Sequence, residues 1–391
     1  MSSDPWTRTR PIHICIVVAA PITLKFFLIG HIRALAERAN VTLVADFAPQ
    51  DDEFPWPKNV SRIRLPIRRE IALFSDGANL LSLFRLFRRH AFDLVQSITP
   101  KAGLLAMAAA LMAKCPRRIH WFTGQVWVTR SGFMRALLKG ADRLTSRCAT
   151  QLLVDSASQR EFLIAQGIVA APKSAVLARG SICGVDMARF RPDAAARARV
   201  RRSHGIPADA LVFLYLGRIN RDKGLLDLAH AFAEVGGAYP DAHLLLVGPD
   251  EDNLRAALAN AAAACAGRLH YADVTDRPQD YFAAADVFCL PSYREGFGTT
   301  ILEAAAAGVP AIGSRIYGIT DAIVEGETGL LFEAGNARQL AQSLRTLGGD
   351  ASLRRRMGEK ARERAVRDFS SAVVTFALLE LYGQLLARRA E

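Results

Sequence analysis

Val287-Phe-Cys-Leu-Pro291-Ser-Tyr-Arg-Glu295-Gly-Phe-Gly298-Thr-Thr-Ile-Leu-Glu303-Ala-Ala-Ala-Ala-Gly308-Val-Pro310 decides how this chain is read. Four apolar residues end at a proline, a glycine turn follows, and an alanine-rich run closes at Gly308. Strand, turn and helix in that order mark a parallel sheet covered by helices. The turn also has a chemical meaning. The first N–H groups of a helix lack intrahelical partners, so a helix opened here presents donors to an anion. Glu295 falls in the turn and Glu303 in the first or second turn of the helix, so both border one crevice. Spacing alone fits a helix start with two solvated acids equally well.

Upstream, Leu211-Val-Phe-Leu-Tyr-Leu-Gly217-Arg218-Ile-Asn-Arg-Asp-Lys223-Gly224 repeats the pattern, with a helix beginning near Leu225. Arg218 offers a planar fork for phosphate oxygens, and Lys223 adds a point charge across the turn. Apolar runs at 12–19, 41–45, 94–96, 118–122 and 151–154 read as strands alternating with helices. The pattern restarts at 212–217, 242–248, 269–272, 287–290 and 311–313. Between them, residues 186–207 are rich in Pro, Ala and Arg and are read as the hinge. At 391 residues the chain suits two domains, placed at 1–190 and 191–369, with a terminal helix in 370–391. In such doubly wound sheets ligands bind at the carboxyl ends of the strands.

Taken together, Gly217-Arg218-x4-Lys223-Gly224 and Glu295-x7-Glu303 resemble the paired signatures of retaining glycosyltransferases of the GT-B fold, family 4. Gly184-Val-Asp186, Leu244-Leu-Leu-Val-Gly248, Ala285-Asp286 and Gly326-Glu-Thr-Gly329 extend the likeness over almost the whole chain. The resemblance implies an α/β fold of two doubly wound, Rossmann-like domains facing a central cleft. The first would bind the acceptor and the second a nucleotide-sugar donor, with the last helix returning to the first domain. Carried over by position, Gly217, Arg218, Lys223, Glu295, Gly296, Phe297, Gly298, Thr299 and Glu303 would bind donor. Glu303 would accept from the ribose, and Glu295 would hold donor-sugar hydroxyls. Arg218, Lys223 and Glu295 are the catalytic candidates, the two cations stabilising the leaving diphosphate.

The implied reaction moves a hexose or N-acetylhexosamine, with retention, from a nucleotide donor, UDP-linked by expectation. The acceptor would be a polyprenyl-diphosphate-linked or other saccharide in bacterial surface polysaccharide assembly. A nucleotide-sugar 2-epimerase on the same fold is the alternative, and it needs acid and base groups around the sugar. Cations and helix donors meet the diphosphate charge, so no metal and no other cofactor is expected. Asp250-Glu-Asp252 has a metal-binding D-x-D form, but its place before a helix explains its acids more simply.

Charge is uneven. Residues 1–190 hold 26 Lys+Arg against 13 Asp+Glu, a net of +13, whereas residues 191–391 hold 24 against 25, a net of −1. The basic half points to an anionic partner, a membrane surface or a phosphorylated substrate. No nucleic acid partner is expected, since no aromatic-basic RNA motif or zinc-finger spacing occurs. Six scattered cysteines without a C-x-x-C pair suit a reduced, cytoplasmic protein. No stretch has the length of a membrane span. Arg85, Arg88 and Arg89, and a stripe of Arg135, Lys139, Arg143 and Arg147, are read as helical faces that rest on the inner face of the plasma membrane.

The acceptor candidates sit in the first half. Relatives carry a His-Gly pair where this chain has Thr123-Gly124, so Thr123 and Gln125 are named with His120, which lies three residues upstream inside a strand. A core role for His120 is the stronger reading. Lys25 in the first loop and Lys101, at the start of the uncharged helix over 102–113, complete the set.

Overall fold

The computed structural model describes residue 6, residues 10–68 and residues 72–387. It divides into two units, Met1–Cys183 with Ser371–Glu391, and Gly184–Ser370. Each is built on a parallel sheet with helical crossovers, the architecture of the GT-B fold.

The first unit holds β1 (His13–Val17), β2 (Asn40–Ala45), β3 (Val60–Arg64), β4 (Leu94–Ile98), β5 (Arg118–Phe122), β6 (Gln151–Val154) and β7 (Ser174–Ala175), ordered β3-β2-β1-β4-β5-β6-β7. Central β4 is buried along its whole length, as expected of a parallel strand covered on both faces. Edge strand β3 exposes Ser61, Arg62 and Arg64, and such charged residues protect an open edge from pairing with other chains. The second unit holds β8 (Leu211–Leu216), β9 (Ala242–Val247), β10 (Leu269–Ala272), β11 (Val287–Leu290), β12 (Ala311–Ser314) and β13 (Gly329–Phe332), ordered β10-β9-β8-β11-β12-β13. The order reverses at β1/β4 in one unit and at β8/β11 in the other, and each reversal opens a crevice at the strand ends.

The chain leaves the first unit at Cys183, earlier than the hinge read from composition. Val185 N–H donates to Phe369 O at 2.8 Å, which fastens residues 184–190 to the second unit. The Pro-, Ala- and Arg-rich stretch is no linker, because it forms the helix Ala194–Ser203. That helix carries Arg201, 2% exposed, whose guanidinium donates to the carbonyls of Ala208, Ala210 and Ala284 and to Asp286. A buried guanidinium with every donor placed ties the helix to the sheet.

The last helix, Ser371–Ala387, packs on the first unit, burying Val374, Leu378, Tyr382 and Leu386 in the same core as Ile14 and Ile32. Residues 388–391 of the expected terminal segment lie outside the described residues. Polar contacts fix the register of this helix. His31 Nδ1 meets Thr375 Oγ1 at 2.9 Å, Arg117 Nε donates to Leu385 O at 2.5 Å, and the Tyr382 hydroxyl donates to Gln96 Oε1. Leu378→Ala should therefore destabilise the N-terminal unit by about 2–5 kcal/mol, read as a lowered urea midpoint of that unit's transition.

Candidate active site

In the second unit the loops after β8 and β11 lie side by side and are locked together. Gly224 adopts φ 65°, and a Cβ there would stand 2.0 Å from Pro291 O, so only glycine permits this approach. Tyr293 N–H donates to Asp222 O at 2.8 Å, and Arg294 pairs with Asp222 at 2.8 Å. Across this seam Lys223 Nζ donates to Glu295 Oε1 at 2.5 Å, and Ser292 Oγ donates to the same oxygen at 2.8 Å. The two charged side chains are only 14% and 16% exposed.

Arg218 follows the glycine turn at Gly217, and its carbonyl accepts from the buried Tyr215 hydroxyl at 2.7 Å. Its guanidinium extends to Glu251, 3.2 Å away and itself held by Asn220 Nδ2 at 2.8 Å, and remains 47% exposed. Gly296 and Phe297 complete the turn, with Phe297 buried against Phe369. Gly298 then opens the helix Thr299–Ala306. Ile301 N–H returns to Gly298 O at 2.8 Å. The N–H groups of Thr299 and Thr300 find no hydrogen-bond partner among the described residues, so two donors remain for an anion.

Glu303 lies on the second turn of this helix, and its carboxyl makes no hydrogen bond or ion pair with the described residues. Burial pushes its carboxyl up to about 8, opposed by the charge of Arg189. Such a group is ready to accept hydrogen bonds that the protein does not supply.

The D-x-D acids are locally engaged. Asp250 accepts the N–H groups of Leu254 and Arg255, Asp252 accepts that of Arg221, and Glu251 holds Arg218. Among the described residues no three His, Cys, Asp or Glu side chains are grouped as metal ligands.

In the first unit the acceptor candidates lie at the carboxyl ends of neighbouring strands, but most are already satisfied. Lys25 pairs with Asp51 and Lys101 with Asp76, each at 2.6 Å. His120 is a core histidine. Its ring occupies space where a Cβ on Gly103 would come within 2.2 Å, Ser97 Oγ lies 2.8 Å from its Nδ1, and burial lowers it to about 3, leaving it neutral. Gln125 Nε2 donates to Thr123 O at 2.6 Å, and Gln159 Nε2 donates to both Thr123 O and Gln125 Oε1.

The description "Glycosyl transferases group 1" matches residues 196–364, and "Glycosyl transferase 4-like domain" matches residues 30–180. CapM of Staphylococcus aureus, a capsular polysaccharide biosynthesis glycosyltransferase, is 31% identical over 329 residues, covering 82% of this chain and 84% of that one. The chain belongs to the group 1, 4-like glycosyltransferase family. Solved structures share the fold of this glycosyltransferase at lower identity. Sucrose-phosphate synthase of Thermosynechococcus elongatus has a TM-score of 0.82 at 22% identity, covering 96% of this chain and 99% of that one. Anabaena HepE in complex with UDP-glucose has 0.79 at 18%, covering 95% and 100%.

Several residues of this glycosyltransferase that shape its site were missed in the sequence. Asp222 and Arg294 bind the two loops together, Ser292 holds Glu295, and Glu251 steers Arg218. Asp222 occupies a variable position of the first signature, Ser292 and Arg294 flank the second, and Glu251 is the middle residue of the D-x-D stretch, where nothing local marks a partner. In the two helices expected to rest on a membrane, some of the cations have partners within the fold. On Gly132–Cys148, Lys139 donates to Gln166 Oε1 and Arg143 to Gly167 O, while Phe133, Leu137 and Leu144 are 79%, 42% and 48% exposed. Arg135 lies over the Trp127 ring, and Arg147 is exposed. On Leu73–His90, Arg85, Arg88 and Arg89 are exposed together with Phe74 and Leu81. No helix of the described residues is long and apolar enough to cross a membrane.

The raised Glu303 carboxyl has a consequence for stability. Between 4.5 and about 8 the folded protein keeps a proton that the unfolded chain releases, so stability falls as pH rises through this window and levels off above it. Glu303→Gln removes the penalty. Its melting temperature should exceed that of the parent above pH 8 and match it below pH 4.5, in ligand-free thermal melts.

Proposed function

We propose that this glycosyltransferase transfers a sugar from a UDP-linked donor, with retention and without a metal, to a lipid-linked saccharide in surface polysaccharide assembly. The observation that carries the donor assignment is the gathering of Arg218, Lys223 and the free Thr299 and Thr300 N–H groups at the β8/β11 reversal. Arg218 and Lys223 each give one donor to a carboxylate and keep further N–H groups, which with the two helix donors suit the oxygens of a diphosphate. Glu303 accepts the ribose hydroxyls, and Glu295, oriented by Lys223 and Ser292, accepts hydroxyls of the donor sugar. As the anomeric bond loosens, charge grows on the leaving diphosphate, and the cations stabilise it more in the transition state than before. A departing phosphate oxygen takes the proton of the attacking hydroxyl on the same face, which retains configuration. The UDP-glucose complex of HepE and the capsular role in CapM's name support this choice of donor and setting.

Arg218→Ala and Lys223→Ala should each lower turnover tens-fold or more and weaken UDP binding by calorimetry. Lys223→Ala also leaves Glu295 with Ser292 alone, so its loss should extend to the Michaelis constant for the donor. Normal turnover and UDP affinity in both variants would refute the diphosphate assignment.

The acceptor's lipid would bring the enzyme to the cytoplasmic face of the membrane, where exposed Phe74, Phe133, Leu137 and Leu144 enter the interface and Arg85, Arg88, Arg89 and Arg147 meet anionic headgroups. Phe133, Leu137 and Leu144 changed together to Ser should release the protein from phosphatidylglycerol vesicles in flotation. Undiminished flotation would exclude this helix as the anchor.

A further inference from the structure

In the first unit, a recess is lined by Thr99, His120, Thr123, Gln125 and Asp142, with room for one water-sized group. Gln125 and His120 are satisfied within the fold, as described above. Asp142 and Thr99 are not. Asp142, 7% exposed, is the one acid of the helix Gly132–Cys148. Its Oδ2 accepts from the Trp127 indole at 2.7 Å, and its other oxygen has no hydrogen-bond partner among the described residues. Burial pushes this carboxyl up to about 6, against the hydrogen bond from Trp127.

Thr99 Oγ1 is buried and likewise has no hydrogen-bond partner among the described residues. Its backbone stands at φ 74°, a region that β-branched residues rarely adopt. An unsatisfied buried hydroxyl on strained backbone is unfavourable for folding alone, and such strain collects at ligand sites.

We propose that this recess receives one hydroxyl of a sugar substrate, which donates to Asp142 and accepts from Thr99. The inference rests on the glycosyltransferase reading, which supplies the sugars. A hydroxyl both donates and accepts, as these two partners require. A phosphate is repelled by the carboxylate. The hydroxyl belongs either to the acceptor saccharide or to the donor sugar, and binding measurements separate the two.

The test is calorimetric titration of wild type, Asp142→Asn and Thr99→Ala with UDP, UDP-glucose, and the octyl glycosides of glucose, galactose and N-acetylglucosamine. Asparagine keeps an oxygen for the Trp127 indole, so that hydrogen bond is preserved. Asp142→Asn should bind one class of sugar probe about tenfold or more weakly, and Thr99→Ala several-fold more weakly, with UDP affinity unchanged. Loss confined to the octyl glycosides assigns the acceptor, and loss confined to UDP-glucose assigns the donor sugar. Equal affinity of wild type and variants for every sugar probe overturns the proposal. So does a wild type that binds UDP and none of the sugars. A wild type that fails to bind UDP itself refutes the donor reading instead, a result distinct from either. Should Asp142→Asn fail to fold, unchanged sugar binding by Thr99→Ala overturns the proposal alone.

Discussion

The donor half depends on one close approach, that of Gly224 to the carbonyl of Pro291. It brings the loop after β8 against the loop after β11, and every polar contact across the seam follows from it. Lys223 reaches Glu295 only because the two backbones touch, and the pair settles the orientation of both groups before any ligand arrives. Preorganised charges of this kind do not need to reorganise as a reaction proceeds. Glu295 and Lys223 stand 72 positions apart in the sequence, and the fold pairs them. A carboxylate and an ammonium this well covered would each be unfavourable alone.

Most of the fold was legible because its strands are short apolar runs bounded by turns. Expected strands 118–122, 151–154, 269–272 and 287–290 coincide with β5, β6, β10 and β11. Strands β3, β7 and β13 escaped for physical reasons. β3 alternates arginine with apolar residues as an edge strand does, β7 is two residues long, and β13 is a four-residue run beginning with glycine. In the candidate site, residues within a strand-turn-helix signature could be found, and residues that act through a partner distant in sequence could not. Glu251 meets Arg218 from 33 positions away, and Arg294 meets Asp222 from 72. Asp142, a lone acid in a basic helix, has nothing in its sequence setting to separate it from a surface residue.

The charge of the N-terminal half has a second explanation besides an anionic partner. Arg118 donates to the carbonyls of Cys115 and Cys148, Arg160 to those of Ser174 and Ala171, and Lys173 to that of Ser146. Several of these carbonyls lie at or near helix ends, where oxygens lack intrahelical donors and cations are favourable. Part of the excess is thus used in building the unit. The exposed arginines of Leu73–His90 make no such contact with the described residues and are among those proposed to meet an anionic surface.

The return of the last helix to the first unit also bears on biosynthesis. The second unit is a continuous stretch of chain, whereas the first needs a segment from the far terminus to close its apolar core. Vectorial synthesis therefore completes the middle of the polypeptide before its beginning. The N-terminal sheet emerges from the ribosome first, yet its core is closed only once residues 371–387 have followed the second unit, which inverts the usual N-to-C order of domain maturation.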